Sequence, residues 1–181
     1  MGIPPHSKAV IDGEFRRMKT IREIRLDHDI MAFLDDVRAS LNVKGATNSR
    51  GPFKRPLLHY AAMGNCTELI HFLLQNGAAV DGRDQNKRTA LFWAAEYGAL
   101  DAVKILLANG AKINATDDMF STALGSLLYA GNPMGQIAGT EAYLREMGAK
   151  EKGAKRRWIW DKIEWLKRSA RKNQRHCGSL H

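Results

Sequence analysis

A block of residues returns at a spacing of 33 positions, and no other feature narrows the possible folds so far. Leu73-Leu74 recurs as Leu106-Leu107, Asn76-Gly77-Ala78 as Asn109-Gly110-Ala111, and Ala61-Ala62 as Ala94-Ala95. Asp81 and Asp84 recur as Asn114 and Asp117. The best-defined copy runs from Asp84 to Asp118. Within it, Thr89 is placed to cap a short helix, whose small residues Ala90, Ala94 and Ala95 permit close approach by a neighbour. Gly98 ends that helix at a position that needs positive φ. A second helix sets Val103, Leu106 and Leu107 on one face, Asn109-Gly110 closes it, and Ile113-Asn114-Ala115 runs out into a loop. One such pair cannot bury its own apolar faces, so the copies must stack into a solenoid.

With those positions in register, the chain resembles the ankyrin-repeat family. That family's repeat runs as a Thr-Pro-Leu-His helix start, an Ala-Ala pair, Leu-Leu, Gly-Ala and a Val-Asn exit. The resemblance extends from Leu34 to Lys150. It implies an all-α solenoid of about four helix-turn-helix repeats, closed by a C-terminal capping helix. The helix-start tetrapeptide departs from the family in every copy: Pro56-Leu57-Leu58-His59, Thr89-Ala90-Leu91-Phe92 and Thr122-Ala123-Leu124-Gly125. The family uses the His to tie neighbouring loops, and here only His59 is left to do so. Looser loops and modest stability are the expectation.

The chain divides as follows. Residues 1–7 are expected to be disordered, because Pro4-Pro5 suits neither a sheet ladder nor a helix interior. Residues 8–50 read as a degenerate N-terminal cap repeat with a long finger loop. From Ser7 to Arg25, Val10, Ile11, Phe15, Met18, Ile21 and Ile24 recur every three or four residues, as in one amphipathic helix. A second helix has Asp27 as its cap and Ile30, Phe33, Leu34 and Val37 inward. The finger VKGATNSRGPFKR is either a projecting binding loop or a linker. Residues 51–84 and 85–117 are the regular repeats. Residues 118–150 form a third, with five extra residues between its helices. Residues 151–181 are a basic helix and tail.

Charge sorts itself between these regions. Residues 150–181 hold eleven Lys or Arg and three acids, so they carry +8 of the net +9, and the rest is nearly neutral. Within 154–172, Ile159, Ile163, Leu166 and Ala170 form an apolar stripe suited to capping the last repeat. The cations beside it, with Trp160, suit nucleic acid, an anionic membrane surface, a calmodulin-type partner or the nuclear-import machinery. Lys155, Arg156, Arg157, Trp160, Lys167 and Arg168 would carry that contact.

No apolar run approaches a membrane span, and the N-terminus lacks the core of a secretory signal. Cys66 and Cys177 give no disulfide framework. An intracellular protein, of cytoplasm or nucleus, is expected. The six histidines have no metal-ligand spacing with a cysteine, the glycines at 64, 77, 98, 110, 131 and 148 mark helix ends, and no nucleophile–base arrangement stands out. A non-catalytic protein without cofactors is therefore expected, an enzyme or small-ligand binder on the same scaffold being the remaining alternative.

The resemblance implies instead an adaptor or scaffold that binds another protein or peptide on a concave face of finger loops and first helices. Carried over by position, its partner-binding residues are Phe53, Arg55, Met63, Asn86, Arg88, Trp93, Glu96, Tyr97, Met119, Ser121 and Tyr129. Arg55, Arg83 and Arg88 hint at an acidic partner.

Overall fold

The computed structural model describes residues 5–41, 46–130 and 137–153. The expected cap helix at 154–172, the basic tail, and the cores of the first finger and of the five-residue insertion lie outside the described residues.

Two rows of short helices build the array. After three N-terminal helices, α1 (Pro5–Met18), α2 (Arg22–Arg25) and α3 (His28–Ser40), the first row is α4 (Leu57–Met63), α6 (Ala90–Glu96) and α8 (Ala123–Ala130), each packed on the next. The second row is α5 (Thr67–Gln75), α7 (Leu100–Ala108) and α9 (Ile137–Glu146), stacked in the same order. No strand forms among the described residues. Ala61, Ala62, Ala94 and Ala95 are fully buried in the first row, where their small side chains let the helices approach. Leu69, Ile70 and Leu73 in α5, and Ala102, Val103 and Leu106 in α7, are buried against them. The chain is thus an all-α solenoid, as the repeat spacing requires.

Backbone geometry repeats with the sequence. Gly77, Gly110 and Gly148 each sit at φ 84°, two residues past the end of a second-row helix. After each, the alanine N–H donates back to Leu73, Leu106 or Leu144, and the glycine N–H to Leu74, Leu107 or Arg145. These paired bonds satisfy carbonyls that a helix end leaves open. Between the two helices of a repeat, Gly98 takes φ 66° and its counterpart Asn65 takes φ 50°. Asn65 also serves the next repeat, where its Oδ1 accepts the Ala102 N–H at 2.8 Å and so caps the first turn of α7.

The N-terminal segment differs from the single helix expected over 7–25. Helix α1 (Pro5–Met18) ends in a turn, α2 (Arg22–Arg25) is one turn long, and α3 (His28–Ser40) follows. The Thr20 hydroxyl donates to the Arg17 carbonyl and the Ile21 N–H to Met18, closing the chain on itself where a helix would have continued. Helicity begins at Pro5, where a first-turn proline loses no helix hydrogen bond. The break lets Phe15, Met18 and Ile24 all be buried, while Val10 is left largely exposed. Helix α1 lies against α4 and α5 together, so it meets both rows at their N-terminal end. Asp27 caps α3 as expected, accepting from Asp29 and Ile30 N–H at 3.0 Å. Phe33 of α3 meets the ring of Tyr60, centroids 5.7 Å apart.

At the other end, residues 149–153 pass over the start of α8. Thr122 N–H donates to the Lys152 carbonyl at 3.1 Å, and the Thr122 hydroxyl donates to that of Lys150 at 2.6 Å. The pass is close: a methyl group on Gly125 would overlap the Lys152 carbonyl oxygen. Gly125→Ala should therefore lower stability by about 1–3 kcal/mol, the usual penalty of overpacking. Urea unfolding measures the loss, and limited proteolysis should show earlier cleavage near 149–153.

Candidate partner-binding face

The face begins with the fingers. Asp84 is buried, and its Oδ1 accepts the N–H groups of Asn86 and Arg88, both at 2.9 Å. Asp117 repeats this with Met119 and Ser121, at 2.9 and 2.8 Å. Short polar side chains that accept from backbone two and four residues on hold each finger as a tight turn. Neighbouring fingers are joined by Gln85 N–H to Phe53 O and Asp118 N–H to Asn86 O, both 3.0 Å.

Arginines complete the join. Arg50 Nη1 donates to the carbonyls of Lys54 and Arg83, both at 2.8 Å, so it clamps its own finger and the next. Arg83, 33 residues on, does the same with Lys87 and Thr116, at 3.2 and 3.1 Å. His59 adds one tie, its Nε2 lying 3.1 Å from the Arg88 carbonyl. The expectation of loose loops, drawn from the missing histidines, is corrected here: arginine side chains do the tying.

Beneath the fingers lies a stack of cations and rings. The Arg55 guanidinium is 4.0 Å from the Trp93 ring centroid and 5.3 Å from that of Tyr60. Arg88 lies 5.0 Å from Trp93 and 5.1 Å from Phe92. Trp93 is thus covered by two guanidinium planes, one from its own repeat and one from the repeat before. Its indole N–H donates to Asp84 Oδ2 at 3.1 Å, and Arg55 Nε comes within 3.9 Å of the same oxygen. Arg88 and Asp117 reproduce that pair one repeat later, also at 3.9 Å.

The expected contact residues therefore separate. Trp93, expected to be partly open, is 6 % exposed, because the long side chains of Arg55 and Arg88 lie over it. Met63 and Ser121 are buried as well. Arg55 and Arg88 reach the surface only at their edges and face Asp84 and Asp117. Asn86, Glu96, Tyr97, Met119 and Tyr129 are half-buried along the face, and Phe53 stands out on the first finger. Glu96 accepts from the Ser126 hydroxyl at 2.7 Å. Burial raises the Tyr97 phenol pKa, with Glu23 and Glu96 nearby pushing the same way. The carried-over positions omitted Phe120, which is the most open aromatic on the fingers at 65 %. Its place one residue past Met119 in a fingertip was the available signal.

Residues 28–117 match the family model for ankyrin repeats, in three copies. The chain belongs to the ankyrin-repeat family. Ankyrin repeats are generally protein-interaction modules, and the family is generally non-catalytic. No curated protein matches this ankyrin-repeat chain. Among its described residues, no helix is long and apolar enough to cross a membrane, and no three His, Cys, Asp or Glu side chains are placed to hold a metal ion.

Proposed function

We propose that this protein is a non-catalytic adaptor, working in cytoplasm or nucleus, that holds another protein or peptide along its fingers and first-row helices. The observation that carries the reading is the pair of fingertip aromatics. Phe53 is 49 % and Phe120 65 % exposed, on fingers otherwise pinned by backbone and arginine hydrogen bonds. Large apolar side chains on a rigid edge lose little freedom on binding, and such anchors dominate interface energies. Glu96, Tyr97, Asn86, Met119 and Tyr129 supply polar and aromatic contacts below them.

The full chain, used as bait, identifies the partner, and a titration then measures the site. The double substitution Phe53→Ala, Phe120→Ala should weaken binding by about 2 kcal/mol or more with an unchanged melting temperature. Unchanged affinity in that variant would place the contact elsewhere. Trp93→Ala and Arg88→Ala are poor probes, since both side chains belong to the buried stack.

The charge of residues 150–181 favours a second reading, in which Lys155, Arg156, Arg157, Trp160, Lys167 and Arg168 serve an anionic surface. Binding through them should fall steeply with salt.

A further inference from the structure

Three fingertip residues stand 33 positions apart and all have left-handed φ: Lys54 at 53°, Lys87 at 60° and Phe120 at 59°. In the first finger Phe53, just before Lys54, is left-handed as well, at φ 59°. The left-handed region is costly for any residue with a Cβ and free for glycine, so a turn of this shape would be more stable with glycine at all three places. Local strain kept by non-glycine residues is a mark of side chains that serve something beyond the fold.

The chemistry of the row is one-sided. Lys54 and Lys87 are exposed, and among the described residues neither ammonium group enters an ion pair. Arg50 and Arg83, which hold the same two fingers by their carbonyls, are also exposed and have no carboxylate partner among the described residues. The acids of these fingers are committed: Asp84 to Trp93 and Arg55, Asp81 to the Lys112 N–H. At the third finger the pattern changes, Thr116 and Phe120 replacing arginine and lysine. We propose that this row binds an extended acidic peptide, its carboxylates against the first two fingertips and an aromatic or aliphatic residue against Phe120. The inference rests on the adaptor reading and names the partner's chemistry. A nucleic acid fits less well, because Asp118 beside Phe120 and Glu96 below would oppose a uniformly charged backbone.

The test is selection of random, charge-unbiased twelve-residue peptides on the full chain, with titration of the enriched sequences and of a twelve-nucleotide oligouridylate. The expected result is enrichment of Asp or Glu around one apolar anchor, with affinity that weakens as salt rises. The double variant Lys54→Gly, Lys87→Gly should bind these peptides about tenfold or more weakly, as lost charge contacts do. Its melting temperature should not fall, since glycine relieves the positive φ. Lys54→Glu, Lys87→Glu should lose binding altogether. Enriched peptides without acidic bias, or with unchanged affinity for the glycine variant, would overturn the inference and leave the adaptor reading standing. No enrichment would overturn the inference, and full-chain bait that also captures no protein would overturn the adaptor reading with it. Oligouridylate binding more tightly than any selected peptide, and lost with the lysines, would reassign the row to nucleic acid.

Discussion

Replacing Asp84 by alanine is expected to cost the array about 3–5 kcal/mol, the usual loss when one partner of a buried charge pair is removed. Asp84 is 6 % exposed and accepts three hydrogen bonds, from Asn86 N–H, Arg88 N–H and the indole of Trp93. It also faces the guanidinium of Arg55. Alanine would leave three donors and one cation without their acceptor. Against a total stability of about 5–15 kcal/mol, that loss brings the array near its unfolding threshold at ordinary temperature. Asp84→Asn keeps an oxygen for the two backbone N–H groups but turns an amide N–H₂ towards the indole, so it should cost about 2 kcal/mol. Asp117→Ala is the internal comparison. Asp117 accepts the equivalent two N–H groups, yet Ser126 stands where Trp93 stands one repeat earlier, so no indole bond is lost. Its effect should be smaller than that of Asp84→Ala by about 1 kcal/mol, one hydrogen bond. Denaturant midpoints of the three variants decide the order. Equal losses for Asp84→Ala and Asp117→Ala would show that the indole bond contributes nothing.

The repeat spacing made much of this fold legible. Two leucine pairs, two alanine pairs and two Asn-Gly-Ala closures in register dictate stacked helix pairs, because no other arrangement buries faces that recur at that distance. The caps at Asp27 and Thr89 were legible for the same reason: a short polar side chain before an apolar-periodic run has one good use. The end of α1 was less so. Apolar positions from Val10 to Ile24 keep helical spacing across the break, and only packing against α4 and α5 decides that the chain turns at Thr20. The site was read least well. Carried over from the family's pattern, Trp93 was expected to be partly open on α6. That pattern carries nothing of Arg55, which arrives from the preceding repeat and lies over the ring. Long side chains that cross between repeats are invisible to periodicity within one repeat. The same holds for Arg50 and Arg83, whose hydrogen bonds replace the missing histidines. Their 33-residue separation was visible, but what they reach was not.

Acid is expected to unfold the array through His59. This imidazole is fully buried between the first two repeats, with Nε2 3.1 Å from the Arg88 carbonyl. A carbonyl accepts, so Nε2 carries the proton and donates, and the ring is neutral. Burial pushes its pKa down to about 4 from an ordinary 6.5, against the Arg88 hydrogen bond and the charge of Asp84, which favour the cation. The unfolded chain therefore binds a proton between those two values that the folded chain refuses. Stability is complete above pH 6.5 and falls as pH drops towards 4. Each pH unit of that gap is about 1.4 kcal/mol, so the total loss is on the order of 3 kcal/mol. Other groups act elsewhere on the scale. Asp12, held below its ordinary pKa by the Arg38 hydrogen bond, adds a loss only at more acid pH. Glu14, raised by burial, works in the opposite direction just above the carboxylate range. His59→Gln isolates the histidine, since its amide can still donate to the Arg88 carbonyl and does not titrate. Denaturant midpoints from pH 7 to pH 4 should fall steeply for the natural chain and much less for the variant. Parallel curves would mean that His59 takes up its proton without opening the array, and that the acid sensitivity lies with the carboxylates.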